Sequence, residues 1–146
     1  MAKEAVVFSR REERLAAFER MLAAALRTAP PLSAVRDACL RIGEDYAARP
    51  RAELTRQRVV AASPRLVAAE LTIYDQWEAA IVSAVTGRRA SARRRRQAQI
   101  FAAATLGVLR TTLREWYASK GRKNLLKLGE QAFDVLAAGF DEHAMP

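Results

Sequence analysis

The sequence predicts an all-α fold, a helical bundle of about six helices. Apolar residues recur at three- and four-residue spacing in almost every segment, which is the period of an amphipathic helix. Runs of alternating β-branched residues are absent, so strands are not expected. A chain of 146 residues is ordinarily one domain, and we expect residues 1–146 to form a single helical unit.

Prolines and a capping pattern divide the first half of the chain. Ser9 and Glu12 have the spacing of a capping box, which predicts that the first helix begins there, after a short apolar turn at Met1–Phe8. The tandem Pro30 and Pro31 end that helix. The three helices predicted in this half run from Ser9 to the residue before Pro30, from about Leu32 to Ala48, and from about Arg51 to Ala62.

The second half contains three further helices with clear starts. Ser63 is a good N-cap and Pro64 suits the first helical position, where its missing N–H is no loss. Asn124 is a comparable N-cap for the last helix. The predicted ranges are Ser63 to Gly87, Ser91 to Ala118, and Leu125 to Phe140.

The last two helices have more apolar surface than one neighbour can cover. In Ser91–Ala118, one stripe is expected to run from Ile100 through Ala103 and Leu106 to Trp116, with a second stripe from Phe101 to Thr112 beside it. We therefore expect these helices to pack against their counterparts in a homodimer, although some candidates must belong to the core instead. The candidate interface residues are Leu109, Leu113, Trp116, Leu128, Leu136 and Phe140.

The positive charge of the chain is concentrated in one short segment. The net charge is +9, but Arg88–Arg96 contains six arginines and no acid, and the remaining 19 basic and 16 acidic residues leave only +3. Four consecutive arginines on a helix spread around its axis, and no aromatic residue is interleaved with them for base stacking. The segment is interpreted as a solvated helix start, with contact to nucleic acid or to an acidic partner as alternatives.

The chain lacks the residues that a catalytic or metal site needs. Its one histidine, His143, is expected to be solvated in the polar tail, and its one cysteine, Cys39, is expected to be a small buried apolar residue. The glycines occur singly, so no phosphate-binding loop is predicted. We expect no enzyme activity, no metal and no cofactor, and, since neither a signal peptide nor a membrane span is seen, a cytoplasmic location without membrane contact.

Several stretches resemble the C-terminal part of TetR-family transcriptional regulators. Lys3-Glu4-Ala5-Val6-Val7-Phe8 looks like the end of that family's DNA-binding domain, without the upstream helix-turn-helix. Further similarity lies in ASPRLVAAELTIYDQWEAAI, in LREWYASKG and in DVLAAGF. The resemblance covers nearly the whole chain as a pattern of helix lengths, caps and apolar positions.

This resemblance implies a ligand-binding and dimerisation domain. The last two helices of each subunit would form the four-helix bundle of a homodimer, and residues 1–8 would be the remnant of a junction to a missing N-terminal DNA-binding domain. Operator DNA would then be contacted only through that missing domain, and Arg88–Arg96 would not read DNA. The alternative is a stand-alone basic helical protein that binds nucleic acid through Arg88–Arg96.

The family has no fixed ligand motif, so the pocket must be predicted from the side chains. Pockets in helical domains are mostly apolar with a few convergent polar groups. Aromatic and polar side chains among alanines, whose small side chains leave room, indicate a pocket for a small hydrophobic or aromatic effector. The competing interpretation is that the aromatic residues only fill the core. The candidate ligand-binding residues are Arg58, Tyr74, Trp77, Phe101, Thr105 and Thr112.

Overall fold

Six α-helices make up the fold of the computed structural model, which describes the backbone of residues 2–140 and the side chains of residues 10–140. The prediction of an all-α bundle is confirmed, and the described residues contain no strand. None of the described helices is both long enough and apolar enough to cross a lipid bilayer. The helices are α1 (Ala2–Ala25), α2 (Pro31–Ala48), α3 (Pro50–Ala61), α4 (Pro64–Thr86), α5 (Ala92–Ala118) and α6 (Leu125–Ala138).

Side-chain caps start the last three helices, two of them as predicted. The Ser63 hydroxyl accepts a hydrogen bond from the Leu66 N–H at 3.4 Å, and the Asn124 side chain accepts one from the Lys127 N–H at 3.1 Å. Ser91 accepts in the same way from the backbone N–H of Arg94. Each cap satisfies one of the N–H groups that the first turn of a helix leaves without a partner.

The predicted start of the first helix at Ser9 is wrong, because α1 already begins at Ala2 and runs through Ser9 without a break. No proline or glycine lies between Ala2 and Ala25, so nothing in the backbone stops the helix from extending towards the N-terminus. The side chains of residues 1–9, which carry the predicted junction, lie outside the described part of the structure. His143 lies outside it too.

The core is a single cluster to which five of the helices contribute. Phe18 of α1 is fully buried and packs its ring against that of Trp77 on α4, with the ring centroids 4.4 Å apart. Val35 and Ile42 of α2 continue the cluster, which extends to Phe133 of α6. The two best-shielded aromatic side chains are Trp116 and Phe18, so the aromatic residues stabilise the bundle centre.

Two glycines allow α2 and α6 to approach closely. A Cβ atom placed on Gly129 would lie 3.0 Å from Leu40 Cδ2, and one on Gly43 would lie 3.3 Å from Leu126 Cδ2. Real side chains rarely tolerate such contacts, so a larger residue at either position would push the helices apart. By contrast, a Cβ atom on Gly107 of α5 would meet nothing within 4 Å.

The orientation of α5 corrects one predicted stripe. Leu106, Leu113 and Trp116 are buried, but Ile100 is 62% exposed and Ala103 lies on the exposed side with it. Residues three apart are about 300° apart around a helix, so a stripe built from steps of three drifts and reaches the opposite side after nine residues. The first part of the predicted stripe therefore belongs to the outer face of the helix.

Candidate functional site

A groove between α4 and α5, with Gln57 of α3 in its lining, is the first of three neighbouring spaces in the bundle. It encloses about 450 Å³, within the range of small-molecule sites. Its α4 wall carries Val67 and Leu71, which are 41% and 49% exposed. The complete lining is Gln57, Val67, Glu70, Leu71, Tyr74, Arg110, Leu113, Arg114, Tyr117 and Ala118.

Two small internal cavities lie behind this groove. The first, of about 20 Å³, lies between α1, α2, α4 and α5, and its mainly apolar and aromatic lining also includes Arg11 and Arg14. The second, of about 30 Å³, is mainly apolar and lies between α2, α5 and α6 beside Cys39 and Phe133. Each has room for about one water molecule, so the interior is closed in this conformation.

Leu113 of α5 forms a wall of all three spaces, and Tyr74 of α4 separates the groove from the first cavity. The two cavities also share Leu109, Ile42 and Tyr46 as lining residues. A change in the rotamers of Leu113 and Tyr74 would therefore join the open groove to the interior. Among the described residues, these two side chains are the ones that the linings of the groove and the first cavity share.

A buried ion-pair network supports the polar end of the interior. Arg14 of α1 donates hydrogen bonds to Glu53 of α3 and, at 2.8 Å, to Asp45 of α2. Arg56 donates two more to Glu53, the shorter at 2.6 Å, and the guanidinium of Arg14 lies 3.7 Å from the ring centre of Tyr46. Glu53, a carboxylate that is 2% exposed, joins α1 to α3, and Asp45 joins α1 to α2.

The network determines the charge states of its members. Burial acts to raise the pKa of Glu53, but the hydrogen bonds from Arg14 and Arg56 outweigh it and leave this pKa below its usual value. Burial likewise acts to lower the pKa of Arg14, and the bond to Glu53 reverses that effect. Glu53 is therefore a carboxylate and both arginines are cations at neutral pH.

A second ion pair links the interior to the groove. The guanidinium of Arg11 on α1 pairs with Glu70 of α4, one of the groove-lining residues. Even so, the buried Arg11 Nε and Arg14 Nη1 groups have no hydrogen-bond acceptor among the described residues. Buried donors without an acceptor are costly, and the first cavity has room for one water molecule that could accept from such a donor.

The structure brings together three of the six predicted ligand-binding residues. Tyr74 lies between the groove and the first cavity, Trp77 lines the first cavity, and Thr112 lines the second. Burial raises the pKa of Tyr74, so its phenol is neutral and can donate a hydrogen bond. The hydroxyl of Thr112, however, already donates to the carbonyl oxygen of Val108 at 2.7 Å.

The other three predicted residues lie elsewhere. Arg58 is exposed on α3, and neither Phe101 nor Thr105 lines the groove or either cavity. Phe101 packs against the core, and Thr105 is buried with its hydroxyl donating to the carbonyls of Phe101 and Ala102. Threonine in a helix commonly bonds back to its own helix in this way, which removes the polar group on which the prediction depended.

Sequence reasoning missed the arginines of the site, although a signal for two of them was present. Arg11 and Arg14 lie at helical spacing on the same face of α1 as Phe18 and Leu22, which are both fully buried. A charged residue in an apolar stripe needs a buried partner. That partner, Glu53, follows thirty-nine residues after Arg14, and nothing local indicates the pairing.

The arginine segment Arg88–Arg96 lies away from these spaces. All six of its arginines are exposed at the junction of α4 and α5, with Ser91 capping the second helix. Arg88 and Arg95 border a separate open depression beside Asp75 and Glu78. Among the described residues, no three His, Cys, Asp or Glu side chains come together as a metal ion would require.

The outer face of α5 and α6 carries an exposed apolar surface. The three most exposed large apolar residues of the described chain are Ile100 on α5, Val135 on α6 and Phe140 directly after α6, at 62%, 56% and 69%. Of the predicted interface residues, Leu136 on α6 is half-buried, and so is Leu128, which also packs against the core. Leu113 and Trp116, also predicted there, are buried within the single chain and are not available to a second subunit, and Leu109 packs against the core.

Comparison with known proteins identifies the family. Searches of curated proteins and of solved structures return no significant match. Among protein families, the TetR-type domain described as the MftR C-terminal domain matches residues 29–141, more than three quarters of the chain. The match begins just before α2 and covers the groove, the second cavity and the apolar outer face, whereas Arg11 and Arg14 of the first cavity precede it. This chain belongs to the family of TetR C-terminal domains, the regulatory domains of transcriptional regulators.

Proposed function

We propose that this chain senses a small hydrophobic or aromatic effector at the α4–α5 groove and transmits its binding to DNA affinity in a TetR-type regulator. One observation supports this proposal above all: Leu113 lines the groove and both cavities. A ligand that enters past Tyr74 would have to move Leu113, and Leu113 lies on the same helix as the exposed apolar face.

The positions of α1 and α5 around the site would couple effector binding to DNA affinity. Arg11 and Arg14 of α1 line the first cavity, so an effector there would contact the helix that precedes the family-matched region. In the proposal, a helix-turn-helix domain before α1 contacts operator DNA, and residues 1–8 form its junction. Arg88–Arg96 takes no part in DNA recognition.

Thermal-shift screening with planar apolar compounds tests the effector site. A ligand at one hundred times its dissociation constant stabilises the folded state by about 2.7 kcal/mol. For a domain of this size, that is a rise of roughly 5–10 °C in the melting temperature. We expect Leu71→Gln, in the groove wall, to remove most of the rise.

Val59 provides the matched control. It is 43% exposed on α3, compared with 49% for Leu71, and does not line the groove. Val59→Gln should leave the ligand-induced rise intact. If both variants respond to the ligand as the parent does, the effector binds elsewhere and the proposed site is wrong.

We further propose that the chain forms a homodimer through the outer face of α5 and α6. Ile100, Val135 and Phe140 would be buried there together with the half-buried Leu128 and Leu136. Burying one large apolar side chain contributes about 1.5–3 kcal/mol, and a two-fold axis uses each residue twice. Gly107 lies on the exposed side of α5 and allows the two helices to approach closely.

Gly107→Arg separates association from folding. In the single chain the new side chain meets open space, and arginine is a better helix former than glycine by somewhat less than 1 kcal/mol. We expect a folded monomer by light scattering where the parent is a dimer. Ala23→Arg, at an exposed position of α1, is the control and should remain dimeric. A Gly107→Arg protein that stays dimeric would place the interface on another face.

A further inference from the structure

Two arginines line the groove without a carboxylate to pair with. Arg110 and Arg114 lie four residues apart on α5 and both border the groove. No ion pair joins either one to another residue of the described chain. The guanidinium of Arg110 lies 4.9 Å from the ring centre of Tyr74, and Glu70, the acid of the groove lining, already pairs with Arg11.

This arrangement favours an anion in the groove. Like charges at four-residue spacing on a helix repel each other, so a bound anion would relieve the repulsion between Arg110 and Arg114. A guanidinium presents several N–H donors in a planar fork that matches a carboxylate.

The α4 wall of the groove, which faces α5, favours a ligand with an apolar body. Val67 and Leu71 present exposed apolar side chains along α4, and Tyr74 and Tyr117 add aromatic surface. We infer that the effector is an organic acid whose carboxylate binds Arg110 and Arg114 and whose apolar ring system packs on Val67, Leu71 and Tyr74. This inference rests on the proposed effector site. The groove volume of about 450 Å³ accommodates a molecule of one to a few rings.

Matched pairs of acids and amides test this inference on the full chain. The probes are 2-naphthoate and 2-naphthamide, which share one ring system and differ in charge, with affinities measured by calorimetry. A hydrogen bond to a charged group is stronger than one to a neutral group, so we expect the acid to bind about tenfold more tightly or better. The Arg110→Gln/Arg114→Gln double variant should remove that preference and leave amide binding unchanged.

The Arg20→Gln/Arg27→Gln double variant controls for the loss of two positive charges, because Arg20 on α1 and Arg27 just after it are exposed and do not line the groove. It should bind both probes as the parent does. Equal binding of acid and amide, weakened by Leu71→Gln, would overturn the organic-acid inference and leave the effector site standing. A preference for the acid that survives the double variant would also overturn it, because the charge would be recognised elsewhere. Binding of neither probe overturns it as well, and the screen with neutral planar compounds then decides the effector site by itself.

Discussion

Glu53→Gln is the sharpest test of how the polar interior is held together. Glu53 is 2% exposed and compensates two buried cations, Arg14 and Arg56. Glutamine has nearly the same shape, so the substitution removes the charge and alters little else. Both guanidinium groups then lose the carboxylate that lies between them.

The size of the effect follows from what each arginine retains. Breaking a buried ion pair by neutralising one partner costs about 3–5 kcal/mol. Arg14 keeps its 2.8 Å bond to Asp45 and its contact with the Tyr46 ring, and Arg56 is about one tenth exposed. We therefore expect the lower end, about 3 kcal/mol, which for a domain of this size lowers the melting temperature by roughly 6–12 °C.

Urea unfolding at a fixed protein concentration measures this loss, since association would otherwise change the apparent stability. Glu115→Gln is the matched control, because Glu115 makes a 2.8 Å ion pair with Lys123 in which both side chains are about half exposed. Exposed pairs contribute about 0–1 kcal/mol. If Glu53→Gln costs no more than Glu115→Gln, the buried network does not stabilise the bundle and the reasoning fails.

Three further predictions concern the same core. In the folded protein the pKa of Glu53 lies below its ordinary value of 4.5, so the ionised carboxylate stabilises the fold above pH 4.5 and this stabilisation is lost as the pH falls through the folded-state pKa. Urea titrations from about pH 7 to pH 3 should show the parent losing stability that Glu53→Gln has already lost. Phe18→Ala removes a fully buried ring from its contact with Trp77 and should cost about 3–5 kcal/mol in the same assay; a loss below 1 kcal/mol would contradict the packing. Burial raises the pKa of Cys39 to about 12, so a thiol reagent should modify it only in urea, and rapid labelling of the native protein would show that the core opens.

Local chemistry accounts for how much of the fold was predictable. Proline at the first turn, serine and asparagine caps and glycine ends act within a few residues, and five of the six predicted helices match to within a few residues. The failure at Ser9 has the same cause. A capping box is a permissive signal, and a helix without a following breaker extends through it.

The candidate site was only partly predictable. Tyr74 and Trp77 were found because aromatic residues on a helix face indicate either core or pocket, and both border the first cavity. Arg110 and Arg114 were missed because exposed arginines look alike in a sequence. Only the packing of α5 beside α4 places these two along a groove.

The sequence by itself determined the class, the approximate boundaries of five of the six helices and the excess of apolar surface on the last two, because these depend on backbone propensity and on periodicity along one helix. The tertiary structure decided which side of α5 is core, and so moved Leu113 and Trp116 inwards while leaving Ile100 outside. It also decided that Glu53 would meet Arg14. The physical reason is the same in both cases, since the partner that covers a helix face comes from a distant part of the chain, and the periodicity of one helix carries no information about that partner.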